Sequence, residues 1–205
     1  MDDSCIICGS REFCEIYPEK LSADSFSPYA FSARGPYREA GHCQIVKCPD
    51  CGLVRFNNVI TEDEAEALYK QSYYLYEDES EYVVQTYFDL FSGLAESLHG
   101  DRRVLEIVCG DGGFLEKLAD AGVFEVTGIE PCQSAVSRAA SSIRSKIITE
   151  MFRLHDVKED SFSLVAAFHL VDHLFSSRTL ELLLQKAGFQ FHKIGALANR
   201  FPVPY

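Results

Sequence analysis

The chain has 205 residues, 47% of them hydrophobic and 24% charged, which suits one globular domain with a small appendage. A formal net charge of −12 argues against nucleic acid or an anionic membrane surface as a partner, because phosphate recognition wants clustered Lys and Arg, and no such run occurs. No apolar stretch approaches the roughly 18 residues of a membrane span, and Met1-Asp2-Asp3-Ser4-Cys5 lacks the basic and apolar regions of an export signal, so the cytoplasm is the expected location.

Eight cysteines in such a chain read as thiols or metal ligands before disulfides. Cys5-Ile6-Ile7-Cys8 and Cys48-Pro49-Asp50-Cys51 are paired C-x-x-C knuckles, each followed by glycine. Two thiolates two residues apart grip one ion, and a second pair closes a tetrahedral sulfur shell that suits zinc and leaves no open position for chemistry. The metal-ligand set is therefore Cys5, Cys8, Cys48 and Cys51. A redox dithiol or unrelated core cysteines are the alternatives. Cys14 and Cys43 could substitute for a ligand but lack the paired spacing, while Cys109 and Cys132 read as packing residues. His42–Lys47 and Leu53–Phe56 read as short strands of a zinc ribbon, and the insert between the knuckles as a strand pair or loop. This lobe, residues 1–60, has too little core to fold without its metal.

Ser22 to Gly41 reads as a loop. Thr61-Glu62-Asp63-Glu64 is a capping box that opens a helix with Ala65, Leu68 and Tyr69 on its buried side. From Tyr82 to Leu98, Val84, Tyr87, Phe88, Phe91 and Leu94 recur at helical spacing. These helices make residues 61–100 a helical linker, the second helix packing on the sheet that follows.

That sheet opens at Arg103-Val104-Leu105-Glu106-Ile107-Val108-Cys109-Gly110-Asp111-Gly112-Gly113-Phe114-Leu115. A β-branched run ends in a glycine cluster and passes at once into helical spacing: strand, tight turn, helix, the start of a βαβ unit. The glycines allow close approach of backbone to a ligand, and the helix start presents free N–H groups. A second strand, Phe124–Glu130, ends in an acid placed as the ribose-binding acid of a dinucleotide fold is placed.

Acid-x-x-Cys-Gly-Asp-Gly-Gly-Phe-Leu resembles the first motif of class I S-adenosylmethionine-dependent methyltransferases. The two knuckles, Cys-Gly-Leu-Val-Arg-Phe-Asn, the acidic helix, Leu68-Tyr69 and Tyr73-Tyr74 together look like the subgroup with an N-terminal zinc-binding lobe, which includes sugar C-methyltransferases. The resemblance implies a Rossmann-like α/β domain over 101–205 that binds S-adenosylmethionine, with structural zinc in the lobe. Glu106, Gly110 and Gly112 would shape the turn against the cofactor, and Glu130 would bind ribose hydroxyls. Tyr73, Tyr74 and Tyr76 could wall the methionine end, or be surface or lobe-packing aromatics. The family's first motif glycine falls where this chain has Val108, whose branched Cβ would obstruct the cofactor or force a backbone it dislikes.

Pro131 starts a helix with Cys132, Ala135, Val136 and Ala139 on one face. Lys146–Thr149 is a short third strand, and Met151 or Phe152 beyond it is placed to flank an adenine ring. Ser161–Phe168 is the fourth strand, fit for burial on both faces, with Phe168 at its end counted among the cofactor-binding residues. His169-Leu170-Val171-Asp172-His173 resembles the family segment where a histidine faces the active site. His173 is the candidate catalytic base, since imidazole accepts protons near neutral pH; a histidine merely hydrogen-bonded at a strand end is the alternative. Phe175–Phe189 resembles a later family helix, with a serine cap and Gly188 at its end. The family's intervening helix and fifth strand are missing, so the chain reads as truncated. Phe189–Ile194 is the closing strand, and right-handed crossovers give the sheet order 3-2-1-4-5.

The expected function is S-adenosylmethionine-dependent methylation of a small hydroxylated acceptor, such as a nucleotide-linked sugar. A truncated, non-catalytic binding or assembly module with an impaired cofactor site is the alternative.

Overall fold

The computed structural model describes residues 4–21, 28, 43–57, 61–73, 80–95, 102–122, 124–153, 157–158, 160–168, 177–186 and 188. They fall into two compact units. The first draws on Met1–Ser25, Glu39–Thr61 and Val171–Leu197, the second on Phe26–Arg38, Glu62–Leu170 and Ala198–Tyr205.

In the first unit, β1 (Cys14–Tyr17), β2 (Ile45–Lys47) and β3 (Val54–Phe56) form an antiparallel sheet in the order β1-β2-β3. Val46, opposite Glu15 and Arg55, turns inward, while all of β1 is exposed. The Arg55 guanidinium lies 4.3 Å from the centre of the Phe13 ring, which packs with Ile7 against Cys5, Cys48 and Leu53. Among the described residues, the core cluster of this lobe is Cys5, Cys48 and Leu53.

The second unit begins with α1 (Glu62–Gln71) and α2 (Ser80–Ala95). The sheet follows, with β4 (Arg103–Ile107), α3 (Gly113–Asp120), β5 (Glu125–Ile129), α4 (Gln133–Arg138), α5 (Ser141–Arg144), β6 (Ile147–Ile148) and β7 (Leu164–Ala167). All the strand pairs are parallel, in the order β6-β5-β4-β7. Named by their sequence of appearance in this sheet, that is 3-2-1-4, as expected. The proposed closing strand, Phe189–Ile194, lies outside the described residues. The strand order reverses between β5 and β7 around β4, so the carboxyl end of β4 is the switch point where ligands of open α/β sheets bind.

The apolar run of β4 and the helical stripe of α3 explain the core. Val104, Phe114, Leu115 and Leu118 are at most 2% exposed, and burying a side chain of this size contributes about 1.5–3 kcal/mol. Phe91 of α2 meets Phe114 and Phe124 edge-on, at 5.8 and 5.1 Å. The Lys117 ammonium donates to Gln85 at 2.9 Å, tying α3 to α2. The helix expected after Pro131 is broken: α4 stops at Arg138, Ala139 and Ala140 are extended, and α5 resumes.

The late helix, α6 (Ser177–Lys186), belongs to the first unit, where Lys186 Nζ donates to the Ile6 carbonyl at 2.7 Å. Gly188 follows it with φ 85° and its N–H on the Gln185 carbonyl, a glycine-terminated helix as the sequence suggested. The partition differs from the three-part reading in placing both linker helices with the sheet and α6 with the ribbon. No described helix is long and apolar enough to cross a membrane.

Candidate metal centre and nucleotide site

The two knuckles fold alike. Cys5 N–H donates to Ser10 O and Gly9 N–H to Cys5 O, at 2.7 and 2.8 Å; Cys48 N–H donates to Leu53 O and Gly52 N–H to Cys48 O, at 2.8 and 3.0 Å. Gly9 and Gly52 close these turns at φ 76° and 81°, where a Cβ is disfavoured. The result brings Cys5, Cys8, Cys48 and Cys51 together with their sulfurs all within 4.8 Å of one another. Cys5 Sγ is 3.5 Å from Cys51 Sγ, and Cys8 Sγ 3.6 Å from Cys48 Sγ. Bonds of roughly 2.3 Å to a tetrahedral zinc put sulfurs about 3.8 Å apart, so the donor set and its spacing fit that ion. Burial opposes ionisation of Cys5, yet the backbone N–H groups of Cys8 and Ile7 directed at its sulfur outweigh it and hold the thiol at about 7. Burial pushes Cys51 up to about 12. A cation is the natural remedy for thiols so crowded.

The glycine turn is built on the end of β4. Val108 and Cys109 both donate N–H to the Ile129 carbonyl of β5, at 2.8 and 3.2 Å. The chain then reverses through three left-handed positions: Val108 at φ 59°, Gly110 at 59° and Gly112 at 74°. Gly112 N–H closes on Cys109 O at 2.9 Å, and Asp111 Oδ1 accepts from Gly113 N–H at 3.2 Å, capping the start of α3. A Cβ on Gly112 would lie 2.8 Å from Ile143 Cγ2. Val108 does adopt the disliked backbone, with its side chain 41% exposed at the carboxyl edge of the sheet.

Glu130, just beyond β5, is buried and braces this turn. Oε2 accepts from Gly110 N–H at 2.9 Å and Oε1 from Cys132 N–H at 2.7 Å. Burial raises its pKa, and these two N–H groups pull it part of the way back. Its carboxylate thus lies at the turn, with one contact to backbone on each oxygen.

Glu106 differs. It sits in β4 between Gly128 of β5 and Ala166 of β7. The glycine leaves room into which Cys109 Sγ and Leu115 close, at 2.6 and 2.8 Å from where a Cβ would stand. Glu106 is 4% exposed, and its Oε2 is buried with no hydrogen-bond partner. Burial first, then the charges of Asp111 and Glu130, push its carboxyl well above the usual range. An acid so placed wants a donor or a cation.

Met151 and Phe152, both half-buried, follow β6 and precede Arg153. Phe168 sits at the end of β7 as expected, but its ring belongs to the core: it stacks on Tyr87 with centroids 3.7 Å apart and meets Phe114 edge-on at 5.1 Å. A side chain held by two aromatic neighbours offers a ligand chiefly its backbone. His173, His169, Tyr74 and Tyr76 lie outside the described residues. Tyr73 is described and exposed.

The structure adds Tyr69 to this neighbourhood. Burial and then the Glu130 charge raise its phenol, so α1 runs close to the acid. Helical spacing in the sequence assigned Tyr69 to a buried face without showing what that face meets.

A parallel sheet reversing at β4, a glycine turn at its tip, a buried acid within β4 and another just after β5 define a Rossmann-like domain. Residues 79–174 match the family described as methyltransferase domain. No curated protein matches the sequence. Among solved structures, the plantazolicin methyltransferase BpumL in complex with SAH is 19% identical, with 54% of this chain and 44% of that chain covered and a TM-score of 0.39. The same enzyme with a pentazolic desmethylPZN analog and SAH gives 20%, 54%, 44% and 0.40. The chain thus spans less than half the length of these structures, and a likeness this loose carries no argument about chemistry.

Proposed function

We propose that the protein transfers a methyl group from S-adenosylmethionine to a small hydroxylated acceptor, such as a nucleotide-linked sugar. The observation that carries the cofactor reading is Glu106: a carboxylate buried beside the glycine turn with one oxygen lacking any partner. The methyl donor carries an ammonium and a sulfonium, and either would offset the negative charge gathered from Glu106, Asp111 and Glu130. The donor supplies an electrophilic methyl group, so the protein's part is alignment and proton removal. In this reading Gly110 and Gly112 let backbone approach the ligand, Glu130 holds the turn and offers its remaining lone pairs to ribose, and Met151 flanks the adenine. Phe168 contributes main chain at the end of β7. His173 is the proposed base for the acceptor hydroxyl. The acceptor class rests on the resemblance to the zinc-lobed subgroup, and zinc in the cysteine cluster is structural.

A second reading is favoured by one observation. Val108 holds a left-handed backbone with its side chain exposed at the carboxyl edge, which suits a decayed cofactor site in a non-catalytic module. Calorimetric titration with S-adenosylhomocysteine separates the two. The enzymatic reading expects micromolar-range binding by wild type, lost in Glu106→Ala and little improved in Val108→Gly. No binding by wild type, with recovery in Val108→Gly, would sink it in favour of the module.

A further inference from the structure

The outer face of the ribbon sheet carries a row of apolar side chains that its own lobe leaves largely uncovered. Antiparallel register sets Tyr17 of β1, Ile45 of β2 and Phe56 of β3 opposite one another. Neighbours along a strand alternate between faces, so this row points away from Val46, which is 3% exposed on the inner face. Tyr17 is 58% and Phe56 39% exposed, and strands about 4.8 Å apart make the three a continuous apolar strip. Opposite charges stand at its two ends. On one side the next row is Cys14, Lys47 and Val54, with Lys47 exposed. On the other, Glu19 follows two residues after Tyr17; it is exposed, and its charge reaches Cys43, two residues before Ile45. Along the strands the face therefore runs acid, apolar strip, base.

We infer that this face docks a second copy of the chain, strip on strip, about a two-fold axis running along the strip. Such a rotation lays each strip on its twin and reverses the strands, which brings Lys47 of each copy to the Glu19 end of the other. Charge favours this face for a meeting of copies. At a net −12 two chains repel over most of their surface. The described lobe residues 4–21 and 43–57 instead hold four basic and four acidic residues, and a tetrathiolate zinc adds only two negative charges. An aromatic centre with a charged rim is the anatomy of a protein interface. A face three short strands wide is small against the roughly 1,200 Å² of the smallest standard interfaces, so the dimer should dissociate in the micromolar range. None of this depends on the methyl-donor reading.

Analytical ultracentrifugation of the full, zinc-loaded chain tests this. Wild type should follow a monomer–dimer equilibrium, and Tyr17→Glu should weaken the dimer roughly tenfold or more. Reversing one charge, by Lys47→Glu or Glu19→Lys, sets like charges together and should weaken it about three- to tenfold. The double reversal should restore wild-type affinity, a rescue that a merely structural effect would not give. Zinc content and circular dichroism check that each variant folds. Wild type that is still monomeric at about 300 μM overturns the inference. A dimer that withstands Tyr17→Glu and both single reversals also overturns it, by placing the association elsewhere. Should Tyr17→Glu fail to fold, the charge variants decide: no weakening in the single reversals, or no rescue in the double one, overturns the inference.

Discussion

The cysteine knuckles and the turn after β4 both bend the chain through left-handed backbone, and they fill those positions differently. In the ribbon, Gly9 and Gly52 take φ 76° and 81°. In the turn, the comparable positions are 108, 110 and 112, and the first of them is valine. Polar groups divide the same way. The ribbon gathers four sulfurs into a shell complete for one ion, whereas the turn keeps Glu106 Oε2 buried without a partner. The ribbon is a site whose chemistry ends with metal binding. The turn holds backbone strain and a buried acid oxygen without a partner, and such features mark ligand sites.

The largest effect should come from the ribbon. Purified protein should carry about one zinc per chain by elemental analysis, and chelation or Cys48→Ser should unfold this unit, because its core is Cys5, Cys48 and Leu53. Zinc-free protein with an unchanged unfolding profile and freely titrating thiols would instead support the redox-dithiol reading. The two kinds of glycine give the next contrast. Gly9→Ala meets nothing within 4 Å and should cost only the backbone term, about 1–2 kcal/mol. At Gly112 the added Cβ also strikes Ile143 and Ile147, at 2.8 and 3.1 Å, so Gly112→Ala should cost about 2–4 kcal/mol. Equal losses in urea unfolding would show that the turn is looser than its contacts imply.

Glu106 and Glu130 provide a pH test. Both carboxyls are raised, chiefly by burial, so the folded chain holds protons that the unfolded chain has already released. Their stabilising contribution is therefore full below the ordinary carboxylate range and falls as pH rises through the raised values, by up to about 1.4 kcal/mol per group per pH unit. Glu106→Gln should flatten the decline in thermal midpoint as pH rises above the ordinary carboxylate range. Saturating S-adenosylhomocysteine, whose ammonium would favour the charged acid, should flatten it too. A Glu106→Gln profile parallel to that of wild type would mean that Glu106 is solvated and ionised, removing the main support for the cofactor site.

The sheet order and the knuckles were legible because their signals are local: β-branched runs, glycine clusters and the spacing of cysteine pairs. β1 was not, since Cys14–Tyr17 is exposed at every position and shows no alternation. The break at Ala139 has no proline or glycine to announce it. The orphan state of Glu106 depends on register, which sets Gly128 and Ala166 beside it, and a single strand's sequence does not contain that. Phe168 lies at the expected place in the chain, yet which way its ring turns was decided by Tyr87, distant in sequence. Tyr69 was read as part of the buried side of its helix and is 38% exposed, because helical spacing defines a face without its partner.

Val108 gives the smallest expected effect and the sharpest use of the comparison. A β-branched residue in left-handed backbone costs roughly 1–2 kcal/mol, and glycine returns about 0.5–1 kcal/mol of that as lost chain entropy on folding. Val108→Gly should therefore stabilise the sheet unit by about 1 kcal/mol or less, a rise of a few degrees in its thermal midpoint. The two N–H groups on the Ile129 carbonyl hold this backbone irrespective of the side chain, so the turn should keep its shape. Stabilisation with unchanged ligand affinity would show that the valine is tolerated strain within a working site. Stabilisation with affinity gained from nothing would identify it as the residue that closed the site. Destabilisation would contradict the left-handed backbone at 108, and with it the contrast between ribbon and turn.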